Sequence, residues 1–192
     1  GSTTPSGQAL LNELKISQLN WEILTFSRKS PNCFFCDLGK PHDFKIQKVS
    51  YPNLIISFAP IWKFSTFLDY LRNNNKEFFD KLSAIICCSS SSASTKRFAF
   101  SSNDKILVSS LIKSERRIKE ISKIFNFGLI IYRPSLIYGN VNNSRDKNLN
   151  LILKLMRYFP FIFFPMHSGL RQPIHAKQIA RLSIFYSKII HE

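Results

Sequence analysis

The chain begins with GSTTPSGQALLNEL, Gly1–Leu14, a glycine-punctuated loop that runs directly into a helical pattern. Such a loop normally follows a buried strand, because glycines let backbone N–H groups approach a phosphate at the amino terminus of the helix. No strand precedes Gly1 in this sequence. We therefore expect a phosphate-binding loop whose preceding first strand is missing from the chain.

Beyond this loop, short apolar runs alternate with segments of helical period, which is typical of a parallel sheet covered by helices. The pattern predicts strands at Trp21–Ser27, 33–38, Asn53–Pro60, Leu82–Cys88 and Gly128–Pro134. It predicts helices at Gln8–Leu19, 64–82 with a break at Asn73–Asn75, Asp104–Phe125, 148–159 and the end of 169–189. The fold class is therefore α/β, with a doubly wound parallel sheet.

Composition limits the classes of protein. The 192 residues are 44% hydrophobic and include 18 Phe, which favours a globular core over disorder. The net charge is +15, but the basic residues are scattered, so a solvated basic surface is favoured over a nucleic-acid site. No apolar run reaches the roughly 20 residues of a membrane span. We expect no membrane partner and a cytoplasmic location.

The four cysteines indicate no metal site. Cys33 and Cys36 form a single CxxC, and Cys87 and Cys88 are adjacent. A lone CxxC without a second pair or a histidine cluster at metal spacing is a weak signal, so we interpret all four as reduced thiols.

Polar residues follow the predicted strands, at the edge where an open α/β sheet binds its ligand. SRKS follows the strand that reads the adenosine ribose in dinucleotide-binding folds. An acidic residue there binds the ribose hydroxyls, whereas an Arg pairs with the 2′-phosphate of NADP. Ser27, Arg28 and Lys29 therefore favour NADP, with NAD as the second candidate.

Six segments together are similar to a known superfamily. GSTTPSG resembles the GxxGxxG loop of short-chain dehydrogenases/reductases, with Gly1 and Gly7 as the outer glycines and Thr4 at the middle one. The segments CDL, FAP, SSSSAS, YRPSLIYG and GLRQPIHAKQIA follow in the order of its extended branch, the nucleotide-sugar epimerases and dehydratases. The resemblance extends from Gly1 to Ala180.

This resemblance implies a Rossmann-like dinucleotide-binding domain over 1–140, and a partial substrate-side segment with a returning helix over 141–192. It implies a nucleotide sugar or a similar anionic small molecule as ligand, and it leaves a homodimer open. The cofactor-binding residues that it implies, together with the strand-end residues above, are Gly1, Thr4, Ser6, Gly7, Ser27, Arg28, Lys29, Asp37, Leu38, Ala59, Pro60, Ser90 and Pro134.

The resemblance also implies roles for three other residues. Ser92 would be the catalytic serine, with Ser91 as the neighbouring alternative, and Arg171 would contact the substrate diphosphate as a planar bidentate donor. His175 is interpreted as a structural turn histidine, and Gln178 stands where the family has an acidic residue.

The sequence departs from the family at its proton relay. The family uses a Tyr whose pKa is lowered by a Lys four residues later, so that the phenol can pass a proton during hydride transfer. No Tyr lies between Ser92 and Tyr132, and alignment on Glu115 places Leu107 and Leu111 at the two positions. An epimerase-like protein of doubtful catalysis is the leading interpretation, and a non-catalytic NADP(H)-binding structural or sensing module is the alternative.

Overall fold

The computed structural model describes residues 1–17, 20–28, 30–44, 53–142, 147–159, 161 and 172–191. Its strands are β1 (Phe26–Ser27), β2 (Phe34–Phe35), β3 (Leu54–Ser57), β4 (Ala84–Cys88), β5 (Gly128–Tyr132), β6 (Leu136–Tyr138) and β7 (Pro173–His175). Its α-helices are α1 (Pro5–Ile16), α2 (Ile61–Asn74), α3 (Ser92–Thr95), α4 (Ser102–Phe125), α5 (Lys147–Tyr158) and α6 (Ala176–His191). Short 3₁₀ turns cover Pro41–Asp43 and Lys76–Phe79.

Every strand pair in these ranges is parallel. The strands β3, β4 and β5 form a three-stranded sheet in that order, while β1 pairs with β2 and β6 pairs with β7. In the three-stranded sheet, Ser57 lies opposite Cys87 and Cys88 lies opposite Tyr132. The register therefore brings the carboxyl ends of the three strands to one edge.

Helices cover both faces of this sheet, as the doubly wound prediction requires. On one face, a core that includes Leu68, Ile85 and Leu111 packs α2 and α4 against the strands. On the other face, α1 and α6 pack together in a second cluster, with Ile56 and Phe58 against it. Because successive strand residues point to opposite faces and helices cover both, β3 and β4 are apolar except for Ser57 at the end of β3, which is why both strands were recognisable in the sequence.

The boundaries correct several predictions. The first helix begins at Pro5 rather than Gln8, because Thr4 caps it and Pro5 has the backbone angle that a first turn needs. The second helix begins at Ile61 and ends near the expected break, where Asn75 leaves the helical conformation. The strand predicted over Trp21–Ser27 is limited to its last two residues, the only ones paired to Phe34–Phe35 within the described ranges.

Candidate functional site

The Gly1–Gly7 loop is a tight turn closed by its own hydrogen bonds. The Thr4 amide donates to the Gly1 carbonyl at 3.1 Å, and the Thr4 hydroxyl donates to the same oxygen at 2.7 Å. That hydroxyl also accepts from the Gly7 amide at 3.2 Å, which caps α1. A Cβ on Gly7 would lie 2.2 Å from the Gly1 carbonyl oxygen, so this turn requires a glycine at position 7.

The loop lies between the carboxyl ends of two strands. The Ser2 hydroxyl donates to the Phe26 carbonyl at the end of β1 at 2.7 Å. On its other side, Gly1 lies against the backbone just after β3, where a Cβ on Gly1 would come within 2.7 Å of the Ala59 nitrogen. The candidate residues Gly1, Ser27 and Ala59 are thus at one edge, and Pro60 next to them precedes the first turn of α2.

The segment after β1 forms a second group on this edge. The Ser27 carbonyl accepts from the Cys36 amide at 3.1 Å, which continues the pairing of β1 with β2, and the Ser27 hydroxyl accepts from the Ser30 amide at 3.2 Å. Arg28 is exposed. Asp37 accepts from the Gly39 amide at 2.9 Å, which holds the turn after β2. Leu38 packs partly against the core beneath it.

The serine cluster follows β4 and stays paired with the exit from β5. The Ser89 amide donates to the Tyr132 carbonyl at 2.7 Å, and the Ser91 amide donates to the Pro134 carbonyl at 3.0 Å. The Ser90 hydroxyl accepts from the Ser92 amide at 3.2 Å. The structure therefore brings Ser90, Ser91, Ser92 and Pro134 together at the start of α3.

The two leucines that the resemblance aligns with a proton relay, Leu107 and Leu111, pack in or against the apolar core. Leu111 is 2% exposed, and Leu107 packs against the same cluster beneath α4. Tyr132 on β5 is not a proton acceptor either, because burial raises its pKa to about 12. A phenol with so high a pKa stays protonated near neutral pH and cannot accept a proton there.

His175 and Gln178 have structural positions at the start of α6. The His175 amide donates to the Gln178 side chain at 2.9 Å, and His175 Nδ1 accepts from the Lys177 amide at 3.1 Å. The imidazole packs edge-on against Tyr138, with ring centres 5.0 Å apart. Gln178 thus accepts the hydrogen bond that an acidic residue would accept at this helix start.

An ion pair near the serine cluster was not foreseen from the sequence. Glu115 is buried on α4, and both of its carboxylate oxygens accept from Arg133, with Nε at 3.0 Å from Oε1 and Nη2 on Oε2. The Arg133 Nη1 also donates to the Ser94 hydroxyl at 3.2 Å. Burial would raise the pKa of Glu115, but the hydrogen bonds from Arg133 and Ser89, together with the positive charges of Arg133 and Lys119, outweigh it, and the pKa lies below its ordinary value. The one sequence feature that could have predicted this ion pair is the position of Glu115 on the apolar side of α4, a helix rich in Lys and Arg.

An open groove of about 830 Å³ lies between α4 and β5, and its lining includes Glu115, Arg116, Leu129 and Arg133. None of the candidate cofactor residues lines it, so the groove does not mark the predicted site.

Two predicted site residues lie outside the described residues, and two further predictions concern metal ions and membrane spans. Lys29 and Arg171 lie outside the described residues. Within the described ranges, no group of His, Cys, Asp or Glu side chains could hold a metal ion. Over the same part of the chain, no helix has both the length and the apolar character needed to cross a membrane.

No protein-family model and no curated protein matches the sequence. Solved structures do match. Gre2 from Candida albicans in complex with NADPH aligns with a TM-score of 0.68 at 13% identity, over 98% of this chain and 72% of that one. UDP-N-acetylglucosamine 4-epimerase from Bacillus cereus aligns with a TM-score of 0.61 at 16% identity, over 98% of this chain and 71% of that one. UDP-glucuronic acid 4-epimerase from Bacillus cereus in complex with NAD aligns with a TM-score of 0.63 at 13% identity, over 98% of this chain and 72% of that one. The chain has the Rossmann-like α/β fold of these proteins.

Proposed function

We propose that this chain binds a nicotinamide dinucleotide along the edge formed by the Gly1–Gly7 loop and the ends of β1, β3 and β4. The observation that carries the proposal is the position of the loop, which contacts both Phe26 and Ala59 and so lies between two strand ends. Structures of the same fold in complex with NADPH and with NAD support it.

The proposed cofactor contacts follow the order of the edge. The phosphates lie at Gly1, Thr4, Ser6 and Gly7, and the adenosine lies near Ser27, Arg28, Lys29, Asp37 and Leu38. The nicotinamide, which accepts or donates a hydride when bound, lies towards Ala59, Pro60, Ser90 and Pro134. The turn requires a glycine at position 7, so no side chain at that position stands between the loop and the proposed phosphates.

The phosphate site is weaker than a three-glycine loop would provide. Pro5 has no N–H, and the Gly7 amide already donates to the Thr4 hydroxyl. Two of the first three helical residues therefore offer no ready donor to a phosphate. We expect much of the affinity to come from Arg28.

The substrate that we propose is a nucleotide sugar or a similar anionic small molecule, with Arg171 at its diphosphate. Ser92, or its neighbour Ser91, would orient a substrate hydroxyl. The half-buried Leu107 and the buried Leu111 cannot transfer a proton, so turnover should be weak at best. The second candidate function is a non-catalytic NADP(H)-binding structural or sensing module.

Binding is tested by titrating NADPH and NADH with nicotinamide fluorescence. If Arg28 contacts the 2′-phosphate, NADPH binds more tightly, and Arg28→Ala removes most of the difference. A charge-assisted contact of this kind is worth about 1.5–3 kcal/mol, or about one to two decades in affinity. Arg116→Ala, which removes an exposed arginine from α4, is the matched control. Equal affinities for the two cofactors in the unmodified chain would exclude the role of Arg28.

Turnover distinguishes the two candidate functions. The chain should bind the cofactor yet show little epimerase or dehydratase activity on common nucleotide sugars, because general acid–base assistance is typically worth about 10²–10⁴ in rate. Fast turnover that survives Ser92→Ala would mean that another group transfers the proton.

A further inference from the structure

The helix α5 presents an apolar surface with no other element packed closely on it among the described residues. Leu151, Leu155 and Phe159 follow at intervals of four along one side, and all three are exposed. Leu153, Met156 and Phe161 are exposed as well, and Phe161 retains 77% of its accessible surface. Exposed apolar side chains in such number on one helix and on the two described residues just after it mark an interaction surface.

The charges of α5 lie on a different side from this apolar surface. At 100° per residue, the exposed apolar residues from Leu151 round to Leu153 cover about 200° of the helix circumference. Lys154 and Arg157 lie in the remaining arc, each next to one edge of the apolar surface. Residues 147–191 contain no Asp or Glu at all. The basic residues of that stretch are Lys147, Lys154, Arg157, Arg171, Lys177, Arg181 and Lys188.

This combination of leucines and unopposed cations limits the kinds of partner that could bind the apolar surface of α5. A symmetric contact of α5 with α5 in a second copy would bring the same cations together and no carboxylate from 147–191 to pair with them. A nucleic acid would pair with the cations but would leave the leucines in water. An anionic lipid surface satisfies both, because its headgroups attract Lys and Arg while its acyl boundary takes up apolar side chains.

We propose that α5 lies in the interface of an anionic membrane, with Leu151, Leu155 and Phe159 inserted and Lys154 and Arg157 at headgroup level. A helix that lies on the surface does not need the length of a membrane span. The sequence expectation of no membrane partner rested on the lack of such a span and does not exclude this mode. The contact would hold the cofactor-binding domain at the membrane without using any residue of the proposed dinucleotide edge.

The test is flotation of the chain with vesicles of phosphatidylcholine alone or of phosphatidylcholine with phosphatidylserine. We expect binding only to the vesicles that contain phosphatidylserine, with release at high salt because the headgroup charges are then screened. Leu151→Gln and Leu155→Gln should each lower the partition coefficient about tenfold. Lys154→Gln and Arg157→Gln should each lower it about fivefold.

Matched controls lie on α4, where Ile106→Gln, Ile124→Gln, Lys119→Gln and Lys123→Gln change exposed residues of the same types. These variants should bind vesicles like the unmodified chain. The proposal is overturned by absence of binding to phosphatidylserine vesicles, or by losses of equal size in the α4 controls. It is also overturned if the α5 variants convert a dimer to a monomer without vesicles, since α5 would then be a contact between copies.

Discussion

At the scale of single residues, Cys33 differs from the other three cysteines. Burial raises the pKa of Cys36 to about 11 and those of Cys87 and Cys88 to about 12. Burial would also raise the pKa of Cys33, but hydrogen bonds from Thr25, Ser30 and Ser2 outweigh it and the pKa is lowered. Because the thiolate is the nucleophile, the four cysteines should differ in reactivity.

We therefore expect iodoacetamide to modify Cys33 first in the folded chain at mildly alkaline pH. Mass spectrometry of the labelled peptides measures the order. In denaturant, all four should react at similar rates, because the surroundings that separate their pKa values are then lost. Faster modification of Cys87 or Cys88 in the folded chain would contradict the burial of β4.

The Glu115–Arg133 pair predicts a stability that depends on pH. Since the pKa of Glu115 is lower in the folded chain than its ordinary 4.5, the ionised carboxylate stabilises the fold above that value. The stabilisation is lost as the pH falls through the lowered pKa. Glu115→Gln should reduce the free energy of unfolding near neutral pH by about 1.5–3 kcal/mol, since hydrogen bonds to a charged group are lost.

Urea denaturation at several pH values measures this effect. The difference between Glu115→Gln and the unmodified chain should shrink below pH 4.5. Glu120→Gln on the exposed side of the same helix should change stability by no more than about 0.5 kcal/mol. A difference that is constant down to the acid limit would show that the charge of Glu115 does not stabilise the fold.

At the scale of elements, α4 ends at a residue in a left-handed conformation. Asn126 has φ 53° and ψ 46°, and its amide donates to the Ser122 carbonyl, so the chain turns sharply into β5. Asn tolerates this conformation, while a β-branched residue does not.

Asn126→Val should therefore lower the free energy of unfolding by about 1–2 kcal/mol. Asn126→Gly should cost nothing or stabilise the chain slightly, because glycine adopts positive φ without strain. Chemical denaturation of both variants makes the comparison at one exposed site. Equal stability of the two variants would argue against a left-handed conformation of residue 126 at the end of α4.

At the scale of the whole molecule, the two apolar clusters share one sheet, so they should unfold together. Leu68 lies in the cluster beneath α2 and α4, and Leu14 lies in the cluster between α1 and α6. Leu68→Ala and Leu14→Ala should each cost about 2–5 kcal/mol. Each kcal/mol should lower the melting temperature by about 2–4 °C for a chain of this size.

Circular dichroism and tryptophan fluorescence should report one coincident transition in both variants. Leu182→Ala, on the exposed side of α6, is the control and should change the melting temperature little. Two separate transitions, each moved by only one of the variants, would mean that the two faces fold independently.

The order of helices and strands could be predicted from the sequence because the patterns that encode it are local. Runs such as Ala84–Cys88 are apolar on both faces, and the helical period of Ser102–Phe125 recurs within a few residues. The break after Asn74 was visible for the same reason. The candidate site was predictable only as a set of strand ends, since the sequence shows that polar residues follow strands but not which strands are neighbours.

The tertiary structure decided what depends on partners distant in the chain. The strand β6 exists because Leu136–Tyr138 pairs with Pro173–His175, and no local pattern connects two segments so far apart. The same holds for Arg133, whose role follows from meeting Glu115 across the β5 exit. Local periodicity fixes which residues form an element, whereas strand length, ion pairs and the burial of Leu111 depend on what the fold brings opposite them.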